Sequence, residues 1–185
     1  VDRRQRQMCI RDSFTTQHAV LLKRYTDTVI LTYDSDGAGV KAALRAIPIL
    51  KEVGISTRVL NLKPYKDPDE FIKNMGADAF RERIANAQNS FLFEIDVLKR
   101  EYDLEDPEQK TKFYNATARK LLEFNEALER DNYTRAVAQA QFIPYDDLRR
   151  LVNRLGNQLG PVPVKRLDED GAQPRERRKK TEKDD

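Results

Sequence analysis

The sequence predicts an α/β fold, in which a partial parallel sheet with flanking helices is followed by an all-α segment and a disordered tail. Three observations support this prediction. Two short β-branched runs alternate with helical patterns, only helical periodicity follows them, and the last part of the chain has almost no large apolar residues. Strands that alternate with helices are typical of crossover connections and a parallel sheet.

Composition limits the classes of function. The chain is 35% charged with a net charge of +3, and no apolar run approaches the ~20 residues of a membrane span. We therefore expect no membrane partner. A single cysteine, Cys9, excludes an intramolecular disulfide and a cysteine-based zinc site, which is typical of a reducing cytoplasm. Residues 1–12 have no signal-peptide pattern and no periodicity, so we interpret them as a non-native or disordered leader.

The first structured elements are two strands with a helix between them. Residues 28–33 are β-branched and almost continuously apolar, as in a central parallel strand. A helix is expected over residues 40–53, with a bend at Pro48 and an end at Gly54. Residues 55–62 give the second strand.

Helices are expected in the remainder. Asp67 and Pro68 suit the start of a helix over residues 69–74, which Gly76 ends. The pattern over 77–159 is helical, and it places Leu128 on the apolar face of a long helix that starts after Asp106 and Pro107.

Aromatic residues of this helical part have two interpretations. Tyr133, Phe142 and Tyr145 could stack on nucleic-acid bases, but their helical spacing favours positions in the core. Residues 161–185 have mixed charges and no aromatic residue, which predicts a disordered linker.

The first chemical signal is the pair Asp34 and Asp36, directly after the first strand. Alternate residues of an extended strand project to the same side, so both carboxylates are expected at the carboxyl end of a parallel sheet, where ligands bind. Their mutual repulsion is relieved by a divalent cation, and oxygen ligands favour magnesium or manganese. Gly37 and Gly39 would allow close approach of a phosphate to the following helix.

A second acidic pair, Asp67 and Asp69, follows the second strand and is expected at the same edge of the sheet. Lys41 and Lys66 flank the two pairs and could contact phosphate. The alternative for each pair is local, because aspartate also forms tight turns and caps helices.

Two segments carry a family resemblance: residues 33–39 read YDSDGAG, and residues 66–72 read KDPDEFI. Together with DNYTRAVAQA at 131–140, they resemble bacterial DnaG-type primases with a Toprim fold, over about residues 15–159. The resemblance implies that Asp34, Asp36, Asp67 and Asp69 bind metal. It also implies the carboxyl-terminal half of a Toprim domain at 13–88 and the helical subdomain of the polymerase core at 89–160.

The resemblance further implies a function. Such a protein synthesises short RNA primers on a single-stranded DNA template from nucleoside triphosphates, using Mg²⁺ or Mn²⁺, in the bacterial cytoplasm at replication forks. Zinc, and the contact with the replicative helicase through a carboxyl-terminal domain, would lie outside this chain. The isolated chain is expected to be inactive, because the family's metal-binding glutamate has no counterpart before Ser13.

Two other functions remain open from the sequence. In an aspartate-nucleophile phosphatase, Asp34 would attack phosphate and Asp36 would act as the acid, although that family's motif has threonine where Ala38 stands. In a non-catalytic helical interaction module, the acidic pairs would serve only as caps.

Overall fold

A computed structural model describes residues 14–33 and 37–159 of the chain. The expected leader, the carboxylates of Asp34 and Asp36, and the expected disordered linker lie outside the described residues. The described elements, in chain order, are α1 (Thr16–Lys23), β1 (Thr28–Tyr33), α2 (Gly37–Glu52), β2 (Ser56–Asn61), α3 (Pro68–Met75), α4 (Ala77–Ala85), β3 (Gln88–Asn89), α5 (Ser90–Lys99), α6 (Pro107–Leu121), α7 (Ala127–Gln141) and α8 (Tyr145–Leu159). The predicted fold class, a small sheet with flanking helices followed by a helical region, is confirmed.

The sheet has the strand order β1-β2-β3 in the described part of the chain. β1 and β2 are parallel, and their register runs from Thr28 opposite Ser56 to Tyr33 opposite Asn61. The sequence did not predict β3, which pairs antiparallel with β2 through Gln88 and Asn89. Two polar residues carry no strand pattern, so only the neighbouring strand gives them this conformation. The expected boundary between residues 88 and 89 falls inside β3, and the domain limits stay predictions.

Helices cover both faces of the sheet, which explains the continuous apolar run of β1. Leu31 packs on one face in a cluster with α2 and with Phe93 of α5. Its neighbour Ile30 packs on the opposite face in a cluster with α3 and α4, which includes the buried Phe71. Successive strand residues thus point to opposite faces, and each face is covered.

α2 begins earlier than the apolar period indicated, at Gly37, and it continues through Pro48 to Glu52. Its end follows the prediction. Gly54 has a φ of 75°, the N–H of Gly54 donates to the carbonyl of Lys51, and the N–H of Ile55 donates to the carbonyl of Leu50. This left-handed turn satisfies carbonyls that the last helical turn leaves free.

The helical part, α5 to α8, has its own core around Phe91, Phe113 and Leu121. Tyr133 and Tyr145 are half-buried and pack against this core, as expected. Two expectations are wrong: the side chains of Leu128 and Phe142 are 74% and 91% exposed. α6 ends at Leu121, so Leu128 belongs to the next helix, α7, and not to the apolar face of α6.

Candidate metal and phosphate site

The carboxyl edge of the sheet is defined by the last pair of its parallel strands. Tyr33 ends β1 directly opposite Asn61, which ends β2. The chain therefore leaves both strands at the same edge, and each exit leads into one of the two acidic segments. This register supports the expectation that both pairs share an edge, while the positions of Asp34 and Asp36 stay predictions.

Asp67 is the N-cap of α3. Its carboxylate Oδ1 accepts the backbone N–H of Glu70 at 2.8 Å, and Pro68 follows at the first helical position. The carboxylate of Glu70 in turn accepts the backbone N–H of Lys66 at 2.8 Å. The capping alternative thus holds for one oxygen of Asp67. The other oxygen has no hydrogen bond within the described residues and is available to a ligand.

Asp69 lies on the exposed first turn of α3. Its carboxylate forms an ion pair with Lys73 Nζ at 2.6 Å, and the two side chains are 73% and 72% exposed. This hydrogen bond and the negative charges of Asp69 and Asp67 raise the pKa of Lys73. Exposed ion pairs of this kind contribute little free energy, so a divalent cation can compete with the lysine for the carboxylate.

Gly37 starts α2, and its surroundings are open. A Cβ atom added there would meet no described atom within 4 Å, and its φ is not in the left-handed region. The described fold therefore does not itself require glycine at this position. Open space beside the first amides of a helix allows an anionic group to approach closely.

The two flanking lysines are exposed to solvent. Lys41 lies in the amino-terminal part of α2, and Lys66 lies just before α3. Neither ammonium group forms an ion pair with a described residue, so both can contact an added phosphate. Gly39 is half-buried in the first turn of α2.

The donor set of the described residues fits a hard cation only in part. No three His, Cys, Asp or Glu residues in the ranges 14–33 and 37–159 form a group that could hold a metal ion. Asp67 and Asp69 supply exposed carboxylate oxygens, which are the ligands that Mg²⁺ and Mn²⁺ prefer. A complete site would need further oxygen ligands, and the sequence offers them at Asp34 and Asp36.

An aromatic contact links β1 to the helical part, and the sequence analysis missed it. The ring of Tyr33 lies 5.1 Å from the ring of Phe93 in α5. Burial raises the pKa of the Tyr33 hydroxyl, and the charge of Arg100 opposes this rise. Phe93 and Val97, one helical turn apart, were the available signal that α5 packs against the sheet.

A polar contact also holds α5 in place. Asp96 of α5 accepts from Gln88 of β3 at 2.6 Å and from Gln141 of α7 at 2.7 Å. Lys51 of α2 lies 4.6 Å from the centre of the Phe124 ring. Apolar and polar contacts therefore join the sheet to the helical bundle, and a cation–π contact joins the flanking helix α2 to it.

Two protein families match this chain. A family described as Toprim-like matches residues 8–72, which include both acidic segments. A family described as the DnaB-helicase binding domain of primase matches residues 91–140, which span α5 to most of α7. The second match shows that the helical part of this chain is similar to a helicase-binding family. From the sequence, the helicase contact is expected only outside this chain.

Relatives named DNA primase are similar to most of this chain. A DNA primase of Clostridium acetobutylicum is 30% identical over 151 residues, which are 80% of this chain and 25% of the relative. A DNA primase of Listeria innocua is 33% identical over 140 residues, 75% of this chain and 22% of the relative. The chain thus spans about a quarter of the length of these relatives.

A solved structure shares the fold. The DnaG primase catalytic domain bound to single-stranded DNA aligns with a TM-score of 0.56 and 26% identity, covering 69% of this chain and 42% of that one. No described helix is long and apolar enough to cross a membrane.

Proposed function

Because the chain belongs to the bacterial DnaG-type primase family, we propose that it carries part of the site at which such a protein synthesises RNA primers. The reaction would be nucleotidyl transfer from nucleoside triphosphates on a single-stranded DNA template, during replication in the bacterial cytoplasm. A solved relative, the DnaG primase catalytic domain bound to single-stranded DNA, supports single-stranded DNA as the proposed template.

One observation carries the proposal: the parallel register that ends with Tyr33 opposite Asn61. With both strands ending together, the acidic segments that follow them start from the same edge of the sheet. Ligands of open α/β sheets bind outside the carboxyl ends of the strands. A pair of cap residues in a helical interaction module would not need two strands to end in register.

The proposed ligands of Mg²⁺ or Mn²⁺ are Asp34, Asp36, Asp67 and Asp69. The metal, when bound, would neutralise phosphate charge in an in-line displacement. Asp67 would use the oxygen that does not cap α3, and Asp69 would exchange Lys73 for the cation.

The phosphates of the nucleotide would be held by backbone and lysine groups. Gly37 and Gly39 would let them approach the first amides of α2, while Lys41 and Lys66 would add positive charge. Charge neutralisation and positioning account for most of the catalysis of phosphoryl transfer, so no titrating base is required of these residues.

The helical part is proposed to contribute to the contact with the replicative helicase. The match of residues 91–140 to a helicase-binding family supports this contact. A carboxyl-terminal helicase-binding domain, which the resemblance implies outside this chain, would act together with it.

Manganese-induced NMR line broadening tests the metal site. We expect broadening to concentrate on residues 34–39 and 67–70 at low Mn²⁺ concentration, and Asp69→Asn should reduce it. Asp78→Asn is the matched control, because Asp78 is also an exposed helical carboxylate, paired with Arg81 at 2.7 Å. Broadening spread evenly over all acidic surface residues, or equal effects of the two variants, would refute the proposed site.

A further inference from the structure

Phe142 is the most exposed large apolar residue of the described structure. It is the C-cap residue of α7, and 91% of its surface is accessible to solvent. No ring contact with another described residue involves it. A phenylalanine in this position gives no packing energy to the described fold.

The backbone of Phe142 is also unfavourable for this residue type. Its φ of 55° and ψ of 39° lie in the left-handed region, where it is the one described residue other than glycine with a positive φ. Glycine or asparagine normally occupies this position at the end of a helix, since a Cβ atom raises the energy there. Both its exposure and its backbone conformation disfavour phenylalanine at position 142. A contact with a group outside the described residues would explain why phenylalanine occupies this position.

The neighbours of Phe142 hold it rigidly. Gln141 is 8% exposed and is hydrogen-bonded to Asp96, and Ile143 is 5% exposed in the core of the helical bundle. The N–H of Ile143 donates to the carbonyl of Ala138 at 2.9 Å. A ring presented from a fixed backbone loses little conformational entropy when a partner covers it.

The charged groups around Phe142 show no basic excess of the kind that binds nucleic acid. The carboxyl end of α7 carries partial negative charge, and the first turn of α8 adds Asp146 and Asp147. The nearby arginines are engaged: Arg135 and Arg149 face Asp131, and Arg150 pairs with Asp147 at 2.5 Å. The acidic and basic groups near Phe142 therefore balance, so no excess of positive charge attracts a polyanion, whereas an apolar pocket would fit the exposed ring.

We propose that Phe142 is an apolar anchor with which α7 contacts the replicative helicase, an inference that rests on the proposed helicase contact. The helicase-binding match ends at residue 140, in the last turn of the helix that Phe142 terminates. An exposed aromatic residue that becomes fully buried in a pocket of the partner can act as an interface hot spot.

The test is a binding titration of the purified 185-residue chain with the cognate helicase, followed by fluorescence anisotropy. Phe142→Gly should weaken binding by roughly 30-fold, which corresponds to a hot spot of about 2 kcal/mol. The same substitution relieves the left-handed backbone and should raise the unfolding midpoint by roughly 2–4 °C, so the loss is not a folding defect. Leu21→Ala is the matched control, because Leu21 is also an exposed apolar residue but lies on α1, outside residues 91–140, and it should leave binding unchanged.

The outcomes separate this inference from the proposal on which it rests. Binding by the wild-type chain that Phe142→Gly leaves unchanged would overturn the anchor and retain the helicase contact. Absence of binding by the wild-type chain would overturn both. A photo-crosslinking phenylalanine analogue at position 142 should label the helicase. Labelling of single-stranded DNA or of a second copy of the chain instead would also overturn the anchor.

Discussion

Tyr33 and Phe93 are in aromatic contact, with ring centres 5.1 Å apart, although 60 positions separate them in the chain. Tyr33 is the last residue of β1, and the next residue is the proposed metal ligand Asp34. Phe93 belongs to α5, the first helix of the helical bundle. The bundle therefore supports the strand from which the acidic segment starts.

Phe93→Ala should lower the free energy of unfolding by about 3–5 kcal/mol, because the ring is 2% exposed and its loss leaves a cavity against Tyr33 and Val59. Urea denaturation followed by circular dichroism measures the change. Phe93→Leu, which keeps most of the volume, should cost less. A loss below about 1 kcal/mol for the alanine variant would contradict this packing.

Asp34→Ala should abolish primer synthesis in a full-length primase that contains this chain, while the variant stays folded. Removing one carboxylate from a repulsive cluster leaves the fold intact and removes a proposed metal ligand. Incorporation of labelled nucleotides on a single-stranded template measures the activity, with Asp78→Ala as the control. Near-normal synthesis would refute the metal assignment, and an unfolded variant would favour the capping interpretation.

Asp131→Ala should destabilise the contact between α7 and α8, and the effect should depend on pH. A hydrogen bond from the Tyr145 hydroxyl, with Arg135 and Arg149 nearby, holds the pKa of the Asp131 carboxyl below its usual value. A lowered pKa adds stability that is fully present above the unfolded pKa of about 3.9 and is lost as pH falls through the folded pKa.

Thermal unfolding from pH 7 down to pH 2.5 measures this dependence. The difference in midpoint between wild type and Asp131→Ala should shrink below about pH 4. Asp147→Ala, which removes an exposed carboxylate from α8, should show a smaller difference at pH 7. If the difference in unfolding midpoint between wild type and Asp131→Ala stays constant from pH 7 to pH 2.5, the ionised Asp131 carboxylate is not the cause of that difference.

Backbone amides of β1 that point away from β2 should exchange with solvent faster than amides in the middle of α6. β1 pairs with β2 on one side, and no described residue pairs with its other edge. Open strand edges expose hydrogen-bonding groups and favour association. Hydrogen exchange measured by NMR at low protein concentration gives the rates. Uniformly slow exchange over residues 29–33 would show that the outer edge is covered.

The elements with strong local signals could be predicted from the sequence. The apolar run of β1, the Asp67 and Pro68 start of α3, and the left-handed end of α2 at Gly54 all appear as expected. Each depends on interactions within a few residues, such as a side-chain cap or a glycine that tolerates positive φ. β3 and the exposure of Phe142 could not be predicted, because neither follows from a local pattern.

The candidate site shows the same division. The sequence by itself determined where the two acidic pairs lie along the chain, since Asp34 and Asp36 directly follow β1 and Asp67 and Asp69 come after β2. Only the tertiary structure decided that β1 and β2 end in register and that Phe93 supports Tyr33. Local chemistry is encoded within a few residues, whereas register and packing depend on contacts between segments far apart in the chain.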